Sequence, residues 1–480
     1  MLRNCKRLFT IARVFDNPTE AIADIRTGSS IAIGGYMTAG FPENLIKAIK
    51  AYGNYDFSVV TLGCSVEGYG VNSLISNRQI KRLTTSYLGS KDIQSQYHNG
   101  ELELEIVPGG TLAEKIRAAG AGIPGFWTTT GVGTIIEEGG FPIKYKKGGA
   151  GISILSEGKE KRYFNKKEHL YEEAIRTEYS IVKAWKADPL GNLVYRKTAK
   201  NSNPEMAMCS KITIAEVEEL VPLGALDPDE IDTPGIFVKR IIKGESYEKP
   251  VILDEQMTAG GKKIDSDTWD KSRLIAKRVA QELKPGMYTK LDFGIPSLIP
   301  EFLPDGIIVG AASGAIGISK RKGIADPDLI FSSGYPADII KGGSIVSYNF
   351  IMDLVRGGHF DTSVVGAFQV SSQGDLANWF IPGQYVKGVG GAMDSVANKS
   401  QKIIVAMHHT NNGVSKLVSE CTLPLTGKKC VSMVVTDLGV FDFREDGLNL
   451  VELAAGVTLD HIRSKTACGF TISSDLKTAS

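Results

Sequence analysis

Two glycine-x-proline steps, Gly40-Phe41-Pro42 and Gly294-Ile295-Pro296, each follow a short apolar run and precede an amphipathic one. No other feature restricts the fold as strongly. Ser30 to Gly35 (SIAIGG) reads as a buried strand, and Pro42-Glu43-Asn44 opens a helix with Leu45, Ile46 and Ile49 on one face. Phe57 to Leu62 is the next strand. In the second half, Leu291 to Ile295 reads as a strand, Ser297 to Leu303 as the helix after it, and Gly306 to Gly310 as the following strand. Each glycine permits close backbone approach, and each proline suits a first helical turn. The spacing predicts an α/β chain built from two copies of one plan, each a largely parallel sheet flanked by helices. Any site then sits on loops at the strand C-terminal ends.

The chain has 480 residues, 42% of them hydrophobic, which exceeds what a single core accommodates. Between the two copies, Lys243 to Asp270 is polar, with one apolar cluster around Val251 to Leu253, which is linker composition. The expected division is an N-terminal domain over 14–245, a linker over 246–265 and a C-terminal domain over 266–480. Residues 1–13 begin MLRNCKRLFTIA, with Arg3, Lys6 and Arg7 among apolar residues and no acid before Asp16, the character of a mitochondrial presequence.

Lys and Arg total 55 against 54 Asp and Glu, a net charge of +1, so the chain lacks the excess that holds proteins on phosphate backbones. A nucleic-acid partner is not expected, and no apolar run is long enough to predict a membrane span. The six cysteines contain no C-x-x-C pair and read as free thiols. Phosphate-loop, zinc-protease and nucleophile-elbow motifs are absent. Neighbours His408 and His409 are poorly arranged to share a metal, and no metal site is expected. The basic stretches Lys159 to Lys167 and Ser319 to Lys322 read as solvated loops. One turn stands apart: Val309 to Gly317 (VGAASGAIG) has the build of a displayed catalytic turn, yet Ala312 at its tip offers only a methyl group.

Long segments resemble the succinyl-CoA:3-oxoacid CoA-transferases, in that family's order and spacing. They are GFPENLIKAI at Gly40 to Ile49, Ser76 to Arg82, GELELE at Gly100 to Glu105, GTLAEKIRAAGAGIPGF at Gly110 to Phe126, and IVKAWKAD at Ile181 to Asp188. GDLANWFIPG at Gly374 to Gly383, VKGVGGAMD at Val386 to Asp394 and CTLPLTGKKCV at Cys421 to Val431 complete the set. The resemblance implies two fused CoA-transferase domains and CoA transfer from succinyl-CoA to acetoacetate in ketone-body catabolism, in the mitochondrial matrix. It also implies a homodimer, no metal or redox cofactor, and a coenzyme A thioester as substrate or ligand. In such enzymes a glutamate attacks the acyl-CoA thioester to give a mixed anhydride, and the released thiolate converts this to a glutamyl-CoA thioester that passes CoA to the acceptor acid.

The family's Ser-Glu-Asn-Gly turn falls on Ala311, Ala312, Ser313 and Gly314, so the nucleophile position is Ala312. Removing a covalent nucleophile costs a factor of order 10⁶ in rate. Nearby Glu301 and Asp305 are placed by the sequence on the far side of the strand. Other loops depart together. The family's Gly-Gly-Phe-Gly becomes Gly34-Gly35-Tyr36-Met37, its Asn-Asn becomes Leu62-Gly63, its Pro-Gln-Gly-Thr becomes Pro108-Gly109-Gly110-Thr111, and its Gly-Pro-Tyr-Pro becomes Ser319-Lys320-Arg321-Lys322. Gly388-Val389-Gly390-Gly391 is intact, and the amides of Gly388, Gly390 and Gly391 are assigned to the thioester oxygen. The substrate and CoA region is assigned to Gly34, Gly35, Gly109, Ser313, Gly314 and Asn378. The favoured reading is a silent structural or assembly paralogue, as a homodimer or a mixed dimer with an active paralogue. The alternatives are an active transferase with a displaced nucleophile, and acyl transfer or thioester hydrolysis through Ser313 or Cys64.

Overall fold

A computed structural model describes residues 12–253 and 263–479. Most of the expected presequence and the linker positions 254–262 therefore lie outside the described residues. Arg13, the last presequence position, belongs to an edge strand, Arg13–Phe15, paired with Val238–Lys243.

The first half forms a sheet with the order Arg13–Phe15, Val238–Lys243, Ser210–Leu220, Thr177–Ala187, Ser30–Ile33, Phe57–Gly63, Ile80–Tyr87, Glu103–Ile106. Every pairing along this path is parallel. A parallel sheet covered on both faces needs apolar residues at successive positions, and the sequence supplies them. Ile31, Ile181 and Ile214 point into one apolar cluster, while Ala32, Val182 and Ala215, one residue on, point into another. The helix Glu43–Tyr52 packs Leu45, Ile46 and Ile49 on the first of these faces. Its N-terminal proline provides no side-chain cap. The buried Glu216 of a neighbouring strand substitutes, accepting from Leu45 N at 3.0 Å and Asn44 Nδ2 at 2.7 Å.

The second half repeats the plan with mixed edges. Strands Ile308–Ala311, Tyr288–Leu291, Thr362–Val365, Lys402–Ala406 and Met433–Val435 run parallel, and antiparallel hairpins extend both sides. Alternation again serves two faces, with Val364 and Ile404 on one and Val365 and Val405 on the other. Gly40 and Gly294 have φ of 75° and 78°, so both glycine-proline steps begin with a positive φ. The strand expected at Leu291 to Ile295 instead occupies Tyr288–Leu291, because Gly294 turns the chain out of the sheet. The helix after it is a 3-10 helix, Ile295–Glu301, with Pro300 inside it.

The halves meet along one seam. Helix Gly109–Gly120 of the first lies beside helix Tyr348–Gly357 of the second, and Leu112, Ile116, Ile351 and Val355 share one apolar cluster. Buried Asp394 sits at the N-terminus of the first of these helices, accepting from Gly110 N at 2.8 Å and Thr130 Oγ1 at 3.3 Å. A second junction is ionic. Lys249 Nζ bridges Glu218 and Asp328 at 2.6 Å each, and Arg196 binds Asp326 at 2.6 Å and Asp328 at 2.9 Å. Asp394→Ala leaves the buried Gly110 amide without its acceptor, a loss of about 1–3 kcal/mol. The expected result is a lower urea midpoint for the variant than for Asp394→Asn, whose amide oxygen keeps the acceptor.

Candidate active site

The turn at Ala312 is a tight hairpin between Ile308–Ala311 and Ala315–Lys320, with Ala311 opposite Ala315. Gly314 makes it possible, having φ of 106° and leaving no room for a β-carbon, which would sit 2.5 Å from Val346 O. Ala312 is 5% exposed, and its amide donates to Ser332 Oγ at 2.8 Å. Its methyl belongs to the apolar cluster that also holds Tyr36, Leu62 and Tyr348, with Met37 packed against it. Tyr36 and Tyr348 rings lie 5.4 Å apart, and Tyr36 Oη donates to Ser332 O at 3.1 Å. Burial pushes both phenols up, Tyr36 well above the ordinary tyrosine value. The region is packed with apolar and aromatic side chains.

The departing loops at Tyr36-Met37, Leu62 and Gly109 therefore converge on this cluster. Met37 has φ of 53°, the conformation a glycine would adopt freely, and its side chain reaches to within 3.3 Å of where a β-carbon on Gly334 would stand. A β-carbon on Gly109 would lie 2.1 Å from Tyr348 Oη, so the tyrosine hydroxyl occupies the space of any side chain at 109. Backbone contact closes the same point, Gly109 N donating to Gly390 O at 2.7 Å. Lys320, after the hairpin, pairs with Glu301 at 3.1 Å, and Arg273 holds the same carboxylate at 2.5 Å.

Gly388 and Gly390 have φ of 92° and 56°; the Gly388 amide donates to Trp379 O of the same domain at 3.3 Å, and the Gly390 amide donates to Ser86 O of the first domain at 3.1 Å. Gly391 caps the short helix Ala392–Ala397. Asn378 is buried and satisfied internally, its Nδ2 donating to Gly366 O at 2.9 Å and its Oδ1 accepting from Thr426 Oγ1 at 2.7 Å. Gly34 faces Asn203, whose Oδ1 would be 1.9 Å from an added β-carbon, and Gly35 backs on the Phe41 ring. Ser313 is fully buried and donates to Ile330 O at 2.6 Å. Cys64 is also fully buried, in the apolar cluster on the other face, and burial pushes its thiol up to about 12. Both lack the exposure and the general base that an acyl-enzyme requires.

Two acids missed by the sequence reading face this region. Asp292 and Asp394 both act electrostatically on Tyr348, and Asp292 also on Tyr36. Asp292 is paired to the fully buried Lys290 at 2.5 Å. His408 and His409 lie beyond the end of their strand and turn to different partners, Ser272 for one and Thr436 and Thr466 for the other. Among the described residues no group of three His, Cys, Asp or Glu side chains is placed to hold a metal ion.

Residues 15–244 and 273–465 match the model of the family described as Coenzyme A transferase. The chain is 41% identical over 491 residues to a human protein named succinyl-CoA:3-ketoacid coenzyme A transferase 2, mitochondrial, covering 99% of this chain and 94% of that one. It is 45% identical over 253 residues to a Bacillus subtilis protein named as one probable subunit of such a transferase, covering 52% of this chain and 98% of that one. Among solved structures, the acyl-CoA transferase YdiF apoenzyme from Escherichia coli O157:H7 has the same fold, with a TM-score of 0.80 at 20% identity over 98% of this chain and 96% of that one.

Gly109→Ala is expected to cost about 1–3 kcal/mol through overpacking against Tyr348. Because the first contact is the phenolic oxygen, Tyr348→Phe in the same chain should recover at least half of that loss, a coupling read from urea denaturation of the double-mutant cycle. Cys64 should resist iodoacetamide at pH 8 in the native protein and react once the chain is unfolded, with labelling followed by peptide mass.

Proposed function

Because this chain belongs to the coenzyme A transferase family, and within it to the succinyl-CoA:3-ketoacid transferases, we propose that it is a catalytically silent member retained for assembly. The observation that carries this reading is the Ala312 turn, where a methyl group is packed into an apolar cluster at the position assigned to the family's nucleophile. The chemistry needs one group that bonds first to an acyl moiety and then to CoA. A carboxyl does both, whereas an alanine side chain does neither. The adjoining packing supports the same conclusion, since Leu62, Tyr36 and Tyr348 fill space with apolar and aromatic groups in the same cluster. A transferase transition state instead requires polar donors aimed at a developing oxyanion.

The proposed form is a homodimer, or a mixed dimer with an active paralogue, in the mitochondrial matrix. The mitochondrial designation of the human relative supports the compartment. A coenzyme A thioester is the proposed ligand class, bound without turnover and without a metal or redox cofactor. Subunit designations among bacterial relatives are consistent with assembly through this fold.

Purified protein incubated with succinyl-CoA and acetoacetate should form acetoacetyl-CoA no faster than about 10⁻⁶ of an ordinary family rate. Turnover at ordinary enzyme rates would sink the proposal, and loss of that turnover in Asp292→Asn would assign a displaced nucleophile. Ala312→Glu alone should restore little, because the carboxylate would enter a packed apolar cluster rather than a hydrated cleft. Vigorous activity from that single substitution would show that the neighbouring loops still support catalysis.

A further inference from the structure

A small cavity in the first half holds more acid than base. The carboxylates of Glu43, Glu216, Glu218, Glu248 and Asp328 line it against the cations of Lys183, Arg196 and Lys249, and residues 246–249 close one side. Phe41, which also lines it, belongs to the apolar cluster of Ile31, Ile181 and Ile214, whereas Ala312 belongs to the cluster on the other face of the sheet. Lys183 and Glu216 stand two residues on from Ile181 and Ile214 in their strands and so point to that same face. The free volume of about 20 Å³ seats one group of water or ammonium size.

All but one of these carboxylates are engaged on both sides or paired. Lys183 Nζ meets Glu218 at 2.9 Å, Lys249 joins Glu218 and Asp328 at 2.6 Å each, and Arg196 meets Asp328 at 2.9 Å. Glu248 pairs with Lys47 at 3.4 Å, and Glu216 uses its two oxygens on Asn44 Nδ2 and Leu45 N. Glu43 differs. It is 6% exposed and its Oε1 accepts from Gly70 N at 2.5 Å, yet among the described residues its Oε2 makes no hydrogen bond or ion pair. The Tyr69 hydroxyl, also in the cavity wall, has no partner among the described residues, and its ring meets that of Phe41 edge-on at 5.9 Å. A carboxylate oxygen withdrawn from water without a donor is costly, and a cation seated beside it removes the cost.

We propose that this cavity binds a protonated primary amine, whose ammonium donates to Glu43 Oε2 and the Tyr69 hydroxyl against the Phe41 and Tyr69 rings. Among the described residues no three His, Cys, Asp or Glu side chains converge to ligate a metal ion, whereas an ammonium needs only these acceptors. Because the cavity and the Ala312 methyl belong to opposite faces of the sheet, binding here is independent of transferase turnover. Glu216, Glu248, Lys47 and Tyr69 are the charged or titratable groups that face Glu43. Burial pushes the Glu43 carboxyl from 4.5 up to about 7. Folding thus raises its affinity for a proton, and stability falls as the pH rises from about 4.5 to about 7. An ammonium ion offsets that loss only when the carboxyl is ionised, so it binds more tightly at pH 8 than at pH 5.5.

Thermal unfolding of the full chain at fixed chloride concentration tests the site, with methylammonium as the probe and potassium and tetramethylammonium as controls. At pH 8 methylammonium should raise the melting temperature saturably, by about 1–2 °C, and neither control should do so. The affinity read from that titration should be about 10–30-fold weaker at pH 5.5. The shift should vanish in Glu43→Gln, whose amide oxygen keeps the Gly70 contact, and Tyr69→Phe should weaken the affinity by about 3–10-fold. No shift with methylammonium, the cavity then holding water only, overturns the proposal. An equal shift with either control, in Glu43→Gln or at pH 5.5 overturns it as well. Should Glu43→Gln not fold, unchanged affinity in Tyr69→Phe overturns it alone.

Discussion

Close backbone approach at Gly109 and Gly110 is the constraint on which the seam between the two halves depends. Gly109 N reaches Gly390 O, and Gly110 N reaches Asp394, so the first turn of one helix in the first domain is capped by groups from the second. An added β-carbon at 110 would stand 2.6 Å from both Asp394 Oδ1 and Arg356 Nη1. The absence of side chains at these two positions is therefore what allows Tyr348 and Asp394 to stand where they do. Docking of the halves and the filling of the cleft share one cause.

Seen this way, the departures from the family pattern are mutually consistent. Tyr348 takes the volume beside Gly109, Tyr36 packs against Tyr348, and Leu62 and the Ala312 methyl continue the same cluster. A carboxylate returned to this setting would be desolvated among aromatic rings, which disfavours its charged form. The ionic contacts lie outside the cluster, at Lys290 with Asp292 and at Lys249 with Asp328.

Much of the fold was legible in the sequence because parallel strands buried on two faces leave continuous apolar runs, as at Ser30–Ile33 and Phe57–Gly63. The strand Tyr288–Leu291 was not. It carries Lys290, a residue with no exposed side-chain surface, which only its pairing with Asp292 makes tolerable. Apolar patterning cannot anticipate a lysine held in this way, so the strand was displaced toward Ile295, which belongs to the following 3-10 helix. The turn at Ala312 was legible from its glycines. The surroundings of that turn were not, since Asp292, Asp394 and Tyr348 come from separate segments and meet only through the docking of the halves.

The central claim is that no group in this chain takes up coenzyme A covalently. Intact-mass measurement after exposure to succinyl-CoA, with and without hydroxylamine to cleave thioesters, tests it most directly. The account predicts no hydroxylamine-sensitive increase equal to the mass of a CoA thioester. A stoichiometric adduct of that size, mapped to any carboxylate of the chain, would contradict it.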